Sequence, residues 1–205
     1  MTPSSDIAFT PSVKAIQTAR GSRDAYARVE ERGGWRVEID DGLAAYLAEA
    51  RSAFLATATA EGQPYAQHRG GPAGFIKVLD ARTIGFADFS GNRQYITTGN
   101  LSENPRAYII VMDYANRRRV KLWGTAEVVA AEGDLAEKLA LPGYKARVEQ
   151  AILFHVEAWD TNCPQHIPQL FPAEVLAEPL ARAEARIAEL EAELARLRNA
   201  HRFER

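Results

Sequence analysis

The stretch AWDTNCPQHIPQLF, residues 158–171, holds the chain's single cysteine, Cys163, with His166 three positions later. A thiol becomes a nucleophile when a nearby base takes its proton, and this spacing supplies both groups. A lone cysteine before proline also serves as a small apolar packing residue, and that reading is the stronger of the two. Other reactive constellations are missing. The four histidines, at 68, 155, 166 and 201, stand far apart, and neither His-Glu-x-x-His nor Cys-x-x-Cys occurs, so no metal site is expected. Gly-x-Ser-x-Gly is absent, which argues against a serine hydrolase, and the glycines of GNRQYITTGN lack the spacing of a Walker or dinucleotide-binding loop.

More telling is the concentration of polar side chains where apolar runs end. QHRGG offers Gln67, His68 and Arg69; SGNRQ offers Ser90, Asn92, Arg93 and Gln94; NRRRVKLW offers Arg117, Arg118, Arg119 and Lys121. Guanidinium forks and hydroxyls match phosphate oxygens, and glycine lets a backbone approach them closely. The composition suggests an anionic ligand, a phosphate first among them. The three arginines read equally as a solvated hairpin turn, and for Arg117 that reading is preferred.

Three regions must position these groups. Residues 1–52 read as a helical extension. Thr10-Pro11 has the form of an N-cap with proline at the first helical position, Ser22 is a second candidate cap, and Gly33-Gly34 is a stop. Asp40 or Asp41 could cap a further helix with Leu43, Tyr46, Leu47 and Ala50 on one face. Residues 53–172 form the body. SAFLATATA, QPYAQHRGG, GFIKVLD, TIGFADF, RAYIIVMDY and RRVKLWGTAEVV are short β-branched and aromatic runs punctuated by turn residues, and AILFHVEAWD reads as a further strand. Such close spacing favours an antiparallel barrel. NRQYITTGNLSENPR reads as a helical connection ending at Asn104-Pro105, and DLAEKLALPGYKARVEQ as one or two more helices. Residues 173–205 form a charged amphipathic helix. Leu180, Ala183, Ile187, Leu190, Leu194 and Leu197 alternate spacings of three and four, an a/d pattern of little more than two heptads with Pro179 at its amino end. Pairing as a coiled coil and packing on the protein's own body both remain open.

A formal net charge of −2 argues against nucleic acid as the main partner. One cysteine permits no intrachain disulfide and suits a reducing compartment. The amino end lacks the pattern of a signal peptide, and no run approaches the about 20 apolar residues of a membrane span. A cytoplasmic protein is expected.

Read in order, FLATATAEGQPYAQHRGG, LSENPRAYIIVMDY, RRVKLWGTAEVV and FHVEAWD resemble the pyridoxamine 5'-phosphate oxidase-like FMN-binding split barrels, over roughly residues 40–170. Asn-Pro-Arg-Ala before an apolar strand, followed by Arg-x-Val-x-Leu-x-Gly-x-Ala, is the most specific part. The resemblance implies a mainly β fold with flanking helices, built on a six-stranded antiparallel split barrel, and a homodimer with FMN at its interface. It places Gln67, His68 and Arg69 along the cofactor, and makes Ser90, Asn92 and Arg93, with Gln94 beside them, the phosphate ligands. Arg119 stands where the family often has glutamine near the flavin ring, with Lys121 close by, and Lys77 is similar to a strand lysine of the family.

Departures bear on substrate. The true oxidases carry an Arg-x-His motif after the tryptophan strand and end on Arg-Leu-x-Pro, whereas here Trp159 is followed by DTNCPQHIPQLF. The arginine for a substrate phosphate has no counterpart, so a substrate other than pyridoxamine phosphate is expected. Asn162, Cys163, Gln165 and His166 would form a substrate-side wall, with His166 the sole candidate proton donor. A bacterial subgroup of related FMN-binding proteins is similar at FTPSVKAIQTARGSR, FADFSGNRQYITTGNL and NCPQHIP. The leading expectation is an FMN-dependent oxidoreductase using a small electron donor or acceptor such as NAD(P)H. A non-catalytic flavin-binding or sensing module, and a split barrel for haem or a deazaflavin, remain as alternatives; haem would need His68 or His155.

Overall fold

The computed structural model describes residues 2–161 and 164–203, excepting the side chains of 200–203. The chain divides into two compact units, Met1–Asp113 with Arg118–Gln165, and Tyr114–Arg117 with His166–Arg205.

The first unit opens with a short 3-10 turn and three helices, α1 (Pro11–Ala19), α2 (Arg23–Glu31) and α3 (Asp41–Glu49). Thr10 caps α1 by accepting from the Val13 amide, with Pro11 at the first helical position. Ser22 precedes α2 but its hydroxyl caps nothing. Gly33 and Gly34 end that region at φ 97° and 93°, a conformation that favours glycine. Asp40, not Asp41, caps α3, its carboxylate accepting from the Leu43 amide at 2.8 Å. Asp40→Ala is therefore expected to lower stability by about 1 kcal/mol, measured as a shift in the urea midpoint. The apolar face of α3 is buried as its spacing predicts: Leu43, Leu47 and Ala50 lie in the core, with Tyr46 packed against it.

Seven strands form among the described residues: β1 (Ser52–Ala58), β2 (Pro64–Gly70), β3 (Lys77–Val78), β4 (Thr83–Phe89), β5 (Arg106–Asp113), β6 (Arg118–Val129) and β7 (Val148–Thr161). All ladders are antiparallel, in the order β2-β1-β5-β6-β7-β4-β3. These are the seven runs read from the sequence, one more than the six-stranded barrel implied by the resemblance, and GFIKVLD contributes only a two-residue edge strand. Phe75 and Ile76 of that run are buried in the core, leaving Lys77 and Val78 to pair with Gly85 and Ile84.

Sheet order places β2 and β4 with four strands between them, yet Arg69 of β2 forms an ion pair with Asp88 of β4. The sheet therefore curls into a split barrel whose seam is closed by side chains; no ladder joins β2 to β3 or β4 among the described residues. α4 (Ile96–Glu103) touches this seam, and Asn104 is its C-cap. Its buried Asn100 donates to Thr57 of β1 at 3.0 Å. The connection before β7 holds one helix, α5 (Gly133–Leu139), not two. Residues 141–147 stay irregular and residues 148–150 join β7, where Asp88 pairs with Gln150.

In the second unit, α6 (Ala173–Phe203) starts earlier than its heptad pattern implied, with Pro179 inside the helix rather than at its amino end. Proline removes one backbone donor there. The surrounding Ala, Glu and Leu, all strong helix formers, carry the helix past it.

Candidate functional site

Alternation along β2 sends Tyr65, Gln67 and Arg69 to one face and His68 to the other. The first face meets the seam. There a cleft of about 60 Å³ lies among Gln67, Arg69, Asn92, Arg93, Gln94 and Thr97. Side chains tie its walls together. The Gln67 amide oxygen accepts from Arg69 Nη2 at 2.9 Å and from Thr97 Oγ1 at 2.7 Å. Gln150 Nε2 lies 2.9 Å from both Asp88 and Thr98, where it donates. This network joins β2, β4, β7 and the first turn of α4.

Three features mark the cleft as a place for an anion. First, α4 starts at Tyr95 with no side-chain cap, so its leading amides, including those of Ile96, Thr97 and Thr98 at the cleft, lack that partner. Secondly, Arg93 has no ion-pair partner among the described residues, whereas Arg69 is held by Asp88. Thirdly, Nε of Arg69 is buried without a hydrogen-bond partner. Such an orphan donor is costly unless something accepts from it. Arg93 and Tyr95 both adopt left-handed backbone, at φ 58° and 54°. Two such non-glycine residues in one loop store strain of the kind that collects at ligand clamps. Asn92 steadies the turn by accepting from the Gln94 amide at 3.3 Å.

Acidic groups at the cleft are already engaged. Asp88 is bound by Arg69 and Gln150, and Glu149 accepts from the Tyr95 hydroxyl at 2.6 Å. The Glu149 carboxylate raises the Tyr95 phenol above its ordinary value. Arg69 neutralises Asp88, whereas Glu149 keeps its charge beside the phenol, so Arg93 and the helix amides attract an anion against one remaining carboxylate.

Not every residue expected at the site gathers here. Ser90 is outside the cleft lining, between its lining neighbours Phe89 and Gly91, and its amide donates to the Arg147 carbonyl at 2.9 Å. His68 points to the opposite face, where Nε2 lies 2.9 Å from Ser52 Oγ and the ring meets Phe54 edge-on. Lys77 sits on β3, outside the cleft lining. Lys121 pairs with Asp160 at 2.9 Å and lies over the rings of Trp35 and Trp123, which stack at 4.5 Å. Arg119 borders a second, wider cavity of about 370 Å³, with Arg36, Tyr46, Arg118, Trp159 and Thr161. There Arg36 lies 4.9 Å above the Trp159 ring and pairs with Asp40. Burial holds the Tyr46 phenol far above its ordinary value, and its hydroxyl donates to the Val111 carbonyl at 2.9 Å. Gln165 and His166 form an exposed turn, with His166 at φ 63°. Asn162 and Cys163 lie outside the described residues.

His155, the other histidine weighed for haem, has Nδ1 3.3 Å from Thr83 Oγ1 and Nε2 3.2 Å from Glu127. Both of its ring nitrogens are engaged within the protein. Among the described residues no group of three His, Cys, Asp or Glu could hold a metal, and no described helix is long and apolar enough to cross a membrane.

Several cleft residues escaped sequence reasoning. Thr97 and Thr98 follow the SGNRQ cluster directly, and an uncapped helix start after a basic residue would have been their signal. Asp88, Glu149 and Gln150 carry none, because only the curled sheet brings them to the cleft.

With the fold and cleft in view, the family follows from the sequence match. The family model described as pyridoxamine 5'-phosphate oxidase matches residues 39–177, more than half of the chain. The chain belongs to the pyridoxamine 5'-phosphate oxidase family. Among solved structures it is similar to HupZ of Group A Streptococcus, at 20% identity over 64% of this chain and 99% of that one, with a TM-score of 0.49. A putative pyridoxamine 5'-phosphate oxidase from Lactobacillus delbrueckii gives 19% identity, coverage of 61% and 95%, and a TM-score of 0.46. An FMN-binding protein from Syntrophomonas wolfei gives 16%, 71% and 97%, and 0.42. No curated protein matches the sequence.

Proposed function

We propose that the chain is an FMN-dependent oxidoreductase of the pyridoxamine 5'-phosphate oxidase family whose substrate is not pyridoxamine phosphate. The observation that carries this reading is the cleft at the barrel seam. An uncapped helix start, Arg93 without an ion-pair partner among the described residues, and the orphaned Arg69 Nε converge where a phosphate monoester, carrying a charge near −2, would be stabilised. When bound, the flavin supplies hydride or electron transfer. The chain's own residues hold the phosphate, orient the ring and exclude water. Gln67 and Arg69 are cross-braced to α4 and β4, so the anion site is preorganised rather than formed on binding.

A hollow of about 60 Å³ admits a phosphate but not a whole flavin. The remainder of the cofactor needs another surface, and a second copy of the chain supplies it in this reading. The outward side chains of β1, β5 and β6 support such a homodimer. Phe54 is 37% exposed, and Tyr108, Ile110 and Trp123 are half-buried beside it. Lys121 and Arg119 belong to that same outward row and would stand near the reduced ring's negative edge. A small electron donor such as NAD(P)H and a cytoplasmic setting complete the reading.

The absorption spectrum tests it. The purified protein should take up FMN, bleach under anaerobic NADPH or NADH and recover in air. A bound flavin that neither nicotinamide reduces would favour the sensing reading, and a Soret band or no flavin uptake would overturn the cofactor assignment. Cys163→Ser is expected to leave flavin binding and reduction essentially unchanged; loss of turnover with flavin still bound would restore the thiol as a reacting group.

A further inference from the structure

The 31-residue helix α6 leaves its apolar seam in water. Leu180 is 57%, Ile187 56%, Leu194 52% and Leu197 62% exposed. Because the helix begins at Ala173, the seam is longer than the sequence pattern alone suggested. Ala173, Leu180, Ile187 and Leu194 take the a positions, and Leu176, Ala183, Leu190 and Leu197 take d, which makes four heptads. That length sustains a coiled coil, and a continuous exposed leucine seam is costly to leave solvated.

We propose that α6 pairs with α6 of a second copy of this chain as a parallel, in-register, two-stranded coiled coil. Charge selects the orientation. In the parallel arrangement each g residue faces the e residue of the following heptad on the other helix. Arg186 then meets Glu191, and Glu193 meets Arg198, each pair occurring twice by symmetry. The antiparallel arrangement that keeps the same leucines together sets Glu184 against Glu191 and Arg186 against Glu193, each twice by symmetry, so repulsion cancels attraction. Isoleucine at an a position with leucine at most d positions favours two strands over three or four. Pro179 falls at g, off the a/d seam, so it costs a backbone bond without blocking the partner. The ion pair between Arg182 and Glu178 lies at outward positions and leaves the seam free.

Cross-linking of the full chain tests this. In a Cys163→Ser background, Leu176→Cys and Leu197→Cys are made separately, with Glu178→Cys as an outward-facing control. Each seam cysteine faces its own mate, so oxidation is expected to give covalent dimers on the order of a hundredfold faster than the control. Adding Ile187→Lys should return both to the control rate. Cross-linking at the control rate in both variants, or only when the two proteins are mixed, would overturn the parallel pair. If the cysteines loosen the helix, a charge swap decides instead. Arg186→Glu should lower the melting temperature of α6, and Arg186→Glu with Glu191→Arg should restore it; failure to restore would overturn the assignment. Both readouts concern α6 alone, so their result does not depend on whether the barrel binds flavin.

Discussion

Gly124→Ala is expected to cost about 3 kcal/mol of folding stability. A Cβ at this position would stand 1.9 Å from the His155 carbonyl oxygen and 3.0 Å from its carbon. Both are backbone atoms, so no side-chain rotation relieves the collision. β6 and β7 run beside each other for most of their length, and their register shifts between Trp123 and Gly124. Relief requires β7 to back away from β6 at that shift, breaking ladder bonds in the middle of the barrel. The urea midpoint should fall with the denaturant slope unchanged. Gly99→Ala supplies the contrast, since nothing lies within 4 Å of a Cβ added there on α4. It is expected to raise stability by about 0.5–1 kcal/mol. Equal stability of the Gly124→Ala protein and the parent would refute the role given to this glycine.

Arg93→Ala is expected to weaken FMN binding by about 10- to 100-fold, the loss of one charge-assisted hydrogen bond worth roughly 1.5–3 kcal/mol. Arg93 is the right group to test because it lines the cleft without an ion-pair partner among the described residues. Arg69, by contrast, also holds Asp88 and Gln67, so its removal would disturb the seam as well as the ligand. Higher ionic strength should weaken the parent's binding more than the variant's, because screening acts on the charge that the variant lacks. Unchanged FMN affinity in a titration would remove Arg93 from the site.

Much of this fold was legible in short-range signals. The Thr10-Pro11 and Asp40 caps, the Gly33-Gly34 stop and the buried face of α3 rest on interactions within a few residues, which local sequence encodes. The strand runs were visible for the same reason. The shortness of β3 was not, because burial of Phe75 and Ile76, a tertiary property, decides how much of GFIKVLD reaches its neighbour. Pro179 suggested a helix start, but strong helix formers on both sides outweighed one missing donor.

At the cleft the same division holds. Gln67, Arg69, Asn92, Arg93 and Gln94 stood out as polar clusters in an apolar sequence, and the structure brings them together. His68 belonged to the same cluster, yet strand alternation turns it to the other face beside Ser52. Asp88, Gln150 and Glu149 could be placed only after the curl of the sheet set β4 and β7 against β2.

Comparing FMN with riboflavin isolates the contribution of the proposed phosphate site at the seam. The two ligands share the isoalloxazine and differ by the phosphate alone. Fluorescence titration of the full chain should show FMN binding about 100-fold more tightly than riboflavin, as expected for two or more charge-assisted hydrogen bonds. Arg93→Ala should narrow that difference. Equal affinity for the two flavins, or affinity for neither, would rule out a phosphate site at the seam.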